Sequence, residues 1–412
     1  MTDVKQLNSR SVTKIIRRAL GHVDQRLVNH GERVAYMVLK MMEAQGKYSK
    51  REIRNACFLA MVHDVGAYKT EEINQMFDFE TKKVWGHAIY GYLFIKHLSP
   101  FPQMAPVILF HHFSYEKLKK LSVPYQRITQ LLSVADRMDT YRGKLTPTTW
   151  EGELDSEVIE IFMDTSQKAH FREQIQSGRY LGELDEAIRE VPFTQREVDL
   201  FLEMMVFAID FRSYITVVHT MSTTSIAVQL AERMGCTQEE LYQMKYGALL
   251  HDLGKVGIPI EILESPGRLN NRDMAIMKTH VDMTEEILGH EIDEVIIQIA
   301  LRHHEKLDGT GYPKGLREAQ LTEKEKILAV ADMVSALTGR RSYKEAFGKE
   351  KTLGIIQTEA REGHLFPEAV EMMTTHYEEI MDRAEVECEP ILELYEVIQE
   401  EYDTLMKTCK KL

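Results

Sequence analysis

His251 and Asp252 stand side by side in the apolar stretch Ala248-Leu249-Leu250-His251-Asp252-Leu253-Gly254-Lys255-Val256-Gly257. An imidazole and a carboxylate in such a run are costly to bury unless something pairs with them, and a metal ion pairs with both at once. His219, His280, His303, His304 and Asp332 supply further ligand types, so the pattern predicts a metal cluster rather than a single site. A lone histidine on an apolar helix is usually a hydrogen-bonded core residue, and His219 taken alone has that reading. Asp332 is harder to explain so. It sits in Ile327-Leu328-Ala329-Val330-Ala331-Asp332-Met333-Val334, too deep in a predicted helix to cap it and expensive to bury unpaired. His303 and His304, as adjacent helix residues about 100° apart, can flank one pocket without pointing the same way. Two neighbouring ions can then take one each, with Asp252 bridging them. Mixed imidazole and carboxylate ligands suit Fe, Mn, Zn or Ni without selecting among them. Two ions about 3.5–4 Å apart are the usual device for hydrolysing phosphate esters: one lowers the pKa of a bridging water, and both neutralise charge on the phosphoryl oxygens.

Lys255 follows Asp252 by about one helical turn and so can face the same pocket. There it would contact a phosphate and stabilise charge in the transition state; a solvated lysine at a helix end is the competing reading. Gly254 and Gly257 suggest close backbone approach and favour the first. Arg341 and Lys344 follow the Asp332 helix with Tyr343 between them. A basic pair beside an aromatic can bind phosphate and stack a base, with an exposed helix start as the alternative.

The constellation occurs twice. The N-terminal half carries His30, His63-Asp64, His87, His111-His112 and Asp136 in the same order as the C-terminal set. The gaps are 33 against 32, 23 against 28, 24 against 23, and 24 against 28 residues. Duplication of one helical domain is the simplest account.

The elements that must position these residues read as helices throughout. Apolar residues recur at three- and four-residue steps, as at Ile226, Leu230 and Met234, or Ile296, Ile299 and Ala300, and the protein is expected to be all-α. Asn270, with Asp273 three residues on, is a predicted N-cap for a helix running toward His280. Residues 309–313, Gly-Thr-Gly-Tyr-Pro, must form a loop. Residues between about 143 and 190 fit neither copy, which places a linker there and a long helix near 194–212. The domains expected are thus 1–190, with the linker from about 143, and 191–412, ending in a Glu-rich helical tail that packs on the second domain or mediates dimerisation.

A chain of 412 residues has room for two or three domains, and 44% hydrophobic with 28% charged residues reads as globular. No apolar run reaches membrane-spanning length, Met1-Thr2-Asp3 begins no signal peptide, and Cys57, Cys236, Cys388 and Cys409 lack ligand spacing. Reduced thiols in a cytoplasm explain these cysteines best. A formal net charge of −13 argues against a nucleic-acid polymer as partner, but bound cations and a few arginines can still reverse the potential locally for a small anion.

His251-Asp252-Leu253-Gly254-Lys255, followed by His303-His304-Glu305-Lys306-Leu307-Asp308-Gly309-Thr310-Gly311-Tyr312-Pro313, resembles the HD-GYP family of cyclic di-GMP phosphodiesterases from about His219 to Lys344. The resemblance implies two tandem HD-superfamily helical bundles. It makes His219, His251, Asp252, His280, His303, His304 and Asp332 metal ligands, with Lys255 touching the scissile phosphate beside the catalytic His251 and Asp252. It makes Tyr312 and the Asp308 loop the shapers of the substrate pocket, and Arg341 and Lys344 contacts to guanine or phosphate. The implied activity is hydrolysis of cyclic di-GMP to linear pGpG, and onward to GMP, with two divalent ions: Fe or Mn first, Ni or Zn next. A homodimer and diguanylate-cyclase-type signalling partners are expected, with no membrane and no nucleic-acid polymer.

There are departures. Ile215 stands where some relatives have a glutamate that helps hold a third metal, so two metals are expected. Lys306 replaces the usual arginine and removes bidentate pairing. With the tandem architecture, this keeps 3′,3′-cyclic GMP-AMP as an alternative substrate. A non-catalytic cyclic-dinucleotide receptor or interaction module is the alternative of another class, opposed by Lys255 and the complete ligand set. The N-terminal copy resembles the wider HD superfamily. It has Phe113-Ser114-Tyr115 after His111-His112 and Ala67 in place of Lys255, so it is read as a degenerate, regulatory or dimerising domain whose seven candidate ligands still suit metal.

Overall fold

The computed structural model describes residues 8–69, 85–141, 150, 152–211, 213–265, 267, 269–339 and 347–409. Arg341, Tyr343 and Lys344 lie outside the described residues. Within them every regular element is an α- or 3-10 helix, and the all-α expectation holds. The helix starts are written locally. Thr237 with Glu240 forms a capping box for Gln238–Leu250, and Thr322 with Glu325 forms one for Glu323–Thr338. The Asn270 side chain accepts the Asp273 N–H at the start of Asn271–Leu288, as its spacing predicts.

Packing divides the described residues into a first unit, residues 8–208 with 398–409, and a second unit, residues 209–397. This division falls later than the boundary at 190 read from the sequence. Within the first unit, the Arg54 guanidinium donates to the carbonyls of Val191 and Pro192, and Phe58 packs on Phe201 with ring centroids 4.0 Å apart. These contacts tie the start of the helix Gln195–Asp210 to what precedes it. The stretch read as a linker contains the helices Ser156–Lys168, Phe171–Ser177 and Tyr180–Glu190. They belong to the first unit's packing: Phe171 and Tyr180 both lie on the Tyr36 ring, at 5.5 and 5.7 Å.

The tail is one helix, Tyr377–Cys409. Its Ile380 and Ala384 join the core of the second unit with Ile226, Leu230, Ile327 and Val330. Its last stretch packs in the first unit, where Tyr402 stacks on Tyr90 at 4.0 Å and Glu401 pairs with Lys96. No described helix is long and apolar enough to cross a membrane, and all four cysteines are unpaired.

The two repeats place their polar residues on matching elements. His30 and His219 lie within the helices Gln25–Gln45 and Tyr214–Arg233; Asp136 and Asp332 lie within Gln126–Tyr141 and Glu323–Thr338. His87 and His280 lie within Trp85–Leu98 and Asn271–Leu288. The adjacent pairs do not lie inside helices, as the sequence had suggested. Each follows a helix end: His63-Asp64 after Lys50–Met61, His111-His112 after Ala105–Phe110, His251-Asp252 after Gln238–Leu250, His303-His304 after Glu294–Leu301. The physical reason is that the last helical carbonyls have no partner within the helix. In each pair the first histidine turns its Nδ1 back to the carbonyl three residues earlier: Ala60, Ile108, Ala248 or Ala300.

Candidate metal and active site

That backward hydrogen bond decides how the imidazoles point. His251, His280 and His303 donate from Nδ1 to the carbonyls of Ala248, Met277 and Ala300, each at 2.6 Å. A carbonyl only accepts, so the proton is assigned to Nδ1 and the Nε2 lone pair faces inward. All three rings are buried, and none of the three Nε2 atoms has a hydrogen-bond partner.

Asp252 stands in the middle. Its Oδ2 lies 3.4 Å from His219 Nε2 and 3.1 Å from His251 Nε2, while Oδ1 lies 3.4 Å from His280 Nε2 and 4.0 Å from His303 Nε2. Asp332 completes the ring, with Oδ1 3.1 Å from His219 Nε2 and Oδ2 3.7 Å from Nδ1 of the partly exposed His304. All seven residues singled out as ligands thus meet in one place. The clusters His219–His251–Asp252 and His280–His303–His304 each hold ligand atoms within 4.8 Å of one another.

The electrostatics favour cations. Burial works against charge on Asp252, yet His251, Lys255 and His219 hold its carboxyl well below the usual range. Asp332 is also held down despite burial, through His219. Burial keeps His303 from taking a proton, and lowers His304 to about 3 against the pull of Asp332. His219 differs: burial opposes its protonation, but Asp252 and Asp332 raise it to about 9. Leaving a buried polar atom without a partner costs about 1–3 kcal/mol. Here three imidazole nitrogens and Asp252 Oδ1 share that condition and face one another. Bound metal would relieve it, and these imidazoles and carboxylates are a donor set that fits.

Lys255, on the 3-10 turn Leu253–Gly257, forms an ion pair with Asp252 Oδ2. Burial disfavours its charge, but Asp252 raises its pKa, so it stays an ammonium. The turn is seated against the His280 helix through Gly254, whose N–H donates to Thr284 Oγ1 at 2.8 Å. A Cβ at Gly254 would lie 1.9 Å from the His280 carbonyl oxygen, which is the close approach that the glycine signalled.

The loop after His304 folds back over the site. A Cβ at Gly311 would lie 2.4 Å from the Lys306 nitrogen, and the buried Glu305 accepts the N–H groups of Lys314 and Leu316, each at 2.8 Å. Tyr312 is thereby held against His304, ring centroids 4.6 Å apart, with the Lys278 ammonium 4.5 Å from the Tyr312 centroid. The Asp308 carboxylate accepts from the N–H and hydroxyl of Thr310, so it shapes the loop from within. Lys306 donates to Glu359 at 3.1 Å.

Two participants escaped the sequence reading. Glu305 was visible only as part of a motif. Asp210, the last residue of its helix, is buried; burial above all raises it to about 6, and the nearby charge of Asp252 adds to this. Its one sequence signal is an acid in the apolar run Met205-Val206-Phe207-Ala208-Ile209-Asp210-Phe211.

Residues 203–368 match the HD domain family. Over 387 residues the chain is 26% identical to the 3′3′-cGAMP-specific phosphodiesterase 1 of Vibrio cholerae serotype O1, covering 87% of this chain and 89% of that protein. It is 36% identical over 196 residues to a cyclic di-GMP phosphodiesterase of Thermotoga maritima, covering 46% of this chain and 53% of that relative, about half its length. The crystal structure of a cyclic GMP-AMP specific phosphodiesterase from V. cholerae shares the fold, with a TM-score of 0.54 at 16% identity over 90% of this chain and 98% of that one. His251-Asp252 and the loop through Tyr312 both lie inside the matched segment.

Proposed function

We propose that the protein is a metal-dependent phosphodiesterase that linearises a cyclic dinucleotide, with cyclic di-GMP as the leading substrate. The observation that carries this reading is Asp252, whose two oxygens face two separate groups of inward-pointing imidazoles while Lys255 lies on one of them. His219, His251 and Asp332 would hold one divalent ion with Oδ2, and His280, His303 and His304 a second with Oδ1. Bound there, the ions would acidify water and offset charge on the phosphoryl oxygens, with iron or manganese suiting the donors first and nickel or zinc next.

The chain's own residues supply the rest. Hydrolysis adds one water across a P–O3′ bond and leaves a 5′-phosphorylated linear dinucleotide, pGpG, which a second hydrolysis takes to GMP. Lys255 would neutralise a non-bridging oxygen as charge builds in the transition state. Tyr312, fixed by the Glu305-pinned loop, would wall the pocket beside His304. Arg341 and Lys344 would contact guanine or phosphate.

Two observations favour 3′,3′-cyclic GMP-AMP as a second reading. The relative aligned along nearly the whole chain is named for that nucleotide, and Lys306 is engaged by Glu359. Side-by-side turnover of the two dinucleotides by metal-loaded protein tests both; no hydrolysis of either would remove the enzyme reading. A receptor role would take its place if His251→Ala and Asp252→Ala left a cellular phenotype unchanged. We read the N-terminal unit as regulatory or dimer-forming, with diguanylate-cyclase-type proteins as signalling partners; light scattering of the intact chain tests the dimer.

A further inference from the structure

The N-terminal repeat carries a second set of inward-facing donors that hydrolysis at Asp252 does not use. His63 and His111 donate from Nδ1 to the carbonyls of Ala60 and Ile108, at 2.7 and 2.5 Å. Their rings are 1% and 0% exposed, and neither Nε2 has a hydrogen-bond partner; nor does Asp64 Oδ1. Asp64 divides its oxygens as Asp252 does: Oδ2 lies 3.3 Å from His63 Nε2, and Oδ1 lies 3.6 Å from His87 Nε2. Asp136 likewise faces His30 Nε2 at 3.0 Å and His112 Nδ1 at 3.7 Å.

The ordinary reading of such residues is a set of core histidines satisfied by hydrogen bonds. It suits His30 with its two carboxylates, and His87 and His112, whose Nε2 atoms lie 2.9 Å apart, but not the buried, unpartnered Nε2 atoms of His63 and His111, which gather with Asp64 within 4.8 Å. Nor does it account for the packing behind them. A Cβ at Gly66 would lie 2.0 Å from the His87 carbonyl oxygen, the same close approach that Gly254 makes to His280. Behind His30, Asp139 accepts from Nδ1 at 2.8 Å and is clamped by Arg33 at 2.6 and 2.7 Å. A carboxylate behind a histidine fixes its tautomer and raises its basicity toward a metal. In the other repeat that place is held by Ser335, 3.0 Å from His219 Nδ1.

We propose that the N-terminal repeat is a second metal centre, holding divalent first-row transition ions between Asp64, Asp136 and the histidines that face them. It differs from the first centre where phosphate would be met, since the buried Ala67 stands at the step that Lys255 takes from Asp252. Its role is therefore to bind metal and hold the unit together, with metal affinity added to folding stability.

The test is metal analysis of the full-length chain after loading with Mn(II) or Zn(II) and removal of excess. His251→Ala with Asp252→Ala disables the first centre and leaves the N-terminal one intact. That protein is expected to keep about half of the wild-type metal and to lose thermal stability on chelation. X-ray absorption on the same variant should show histidine-rich coordination. His63→Ala with Asp64→Ala should lose the complementary half. If the His251/Asp252 variant, folded by circular dichroism, retains no metal, the proposal fails. It fails equally if His63→Ala with Asp64→Ala holds as much metal as the wild type.

Discussion

Lys255 is locked onto Asp252 by an ion pair across the 3-10 turn that joins them, so the residue that bridges the two histidine groups also carries the ammonium. Charge complementarity to a phosphate thus sits next to the metal donors without being one of them. Lys255→Ala is expected to lower kcat about 10²–10³-fold, the scale of one lost oxyanion partner. Metal content should stay at the wild-type level, and metal analysis beside turnover separates the two effects.

The turn that carries Lys255 depends on Gly254. A methyl group there would collide with the His280 carbonyl oxygen, which belongs to the backbone of a packed helix and cannot swing away. Gly254→Ala is therefore expected to cost about 3 kcal/mol or more, at the upper end of overpacking effects. A shift in the urea midpoint measures it; an unchanged midpoint would show that the two backbones are not held together.

Glu305 ties the loop through the N–H groups of Lys314 and Leu316. Glu305→Ala strands both donors and frees Tyr312, at about 1.5–3 kcal/mol for hydrogen bonds to a charged group. The expected signature is a raised KM for the dinucleotide with metal content preserved. Lys306→Ala, which breaks only the link to Glu359, should raise KM less.

Much of the centre was legible in the sequence because its residue types are improbable in apolar runs. Asp332 within Ala329-Val330-Ala331 demanded a partner, and the Asn270-Asp273 spacing marked a helix start that the structure shows. What was hidden depended on distant or backbone partners. The helix before His251 ends where that imidazole takes up the Ala248 carbonyl, and the apolar run from Leu249 to Leu253 gives no sign of a break. The Lys306–Glu359 link was hidden because the two residues lie 53 positions apart. The boundary near 190 missed the hydrogen bonds from Arg54 to Val191 and Pro192, which lie 137 and 138 residues apart in the chain.

Proton linkage follows from His219. In the metal-free chain Asp252 and Asp332 overcome burial and raise its pKa from 6.5 to about 9. A group raised on folding contributes stability that is fully present below its unfolded pKa and is lost as pH rises through the folded value. The metal-free protein should therefore lose this contribution between about pH 6.5 and about pH 9. Metal must displace the proton, so loading at pH 7 should release about one proton per chain from this residue. His304, lowered to about 3, should release none. Calorimetry in buffers of different ionisation enthalpy reads the count.

The most direct measurement is turnover of cyclic di-GMP and 3′,3′-cyclic GMP-AMP by the full chain loaded with iron or manganese, run beside Asp252→Ala. The account predicts a linear, 5′-phosphorylated dinucleotide from the wild type, and loss of both product and the metal of the second unit in the variant. Hydrolysis that survives in Asp252→Ala, or none by the wild type with Fe, Mn or Ni bound, would contradict it.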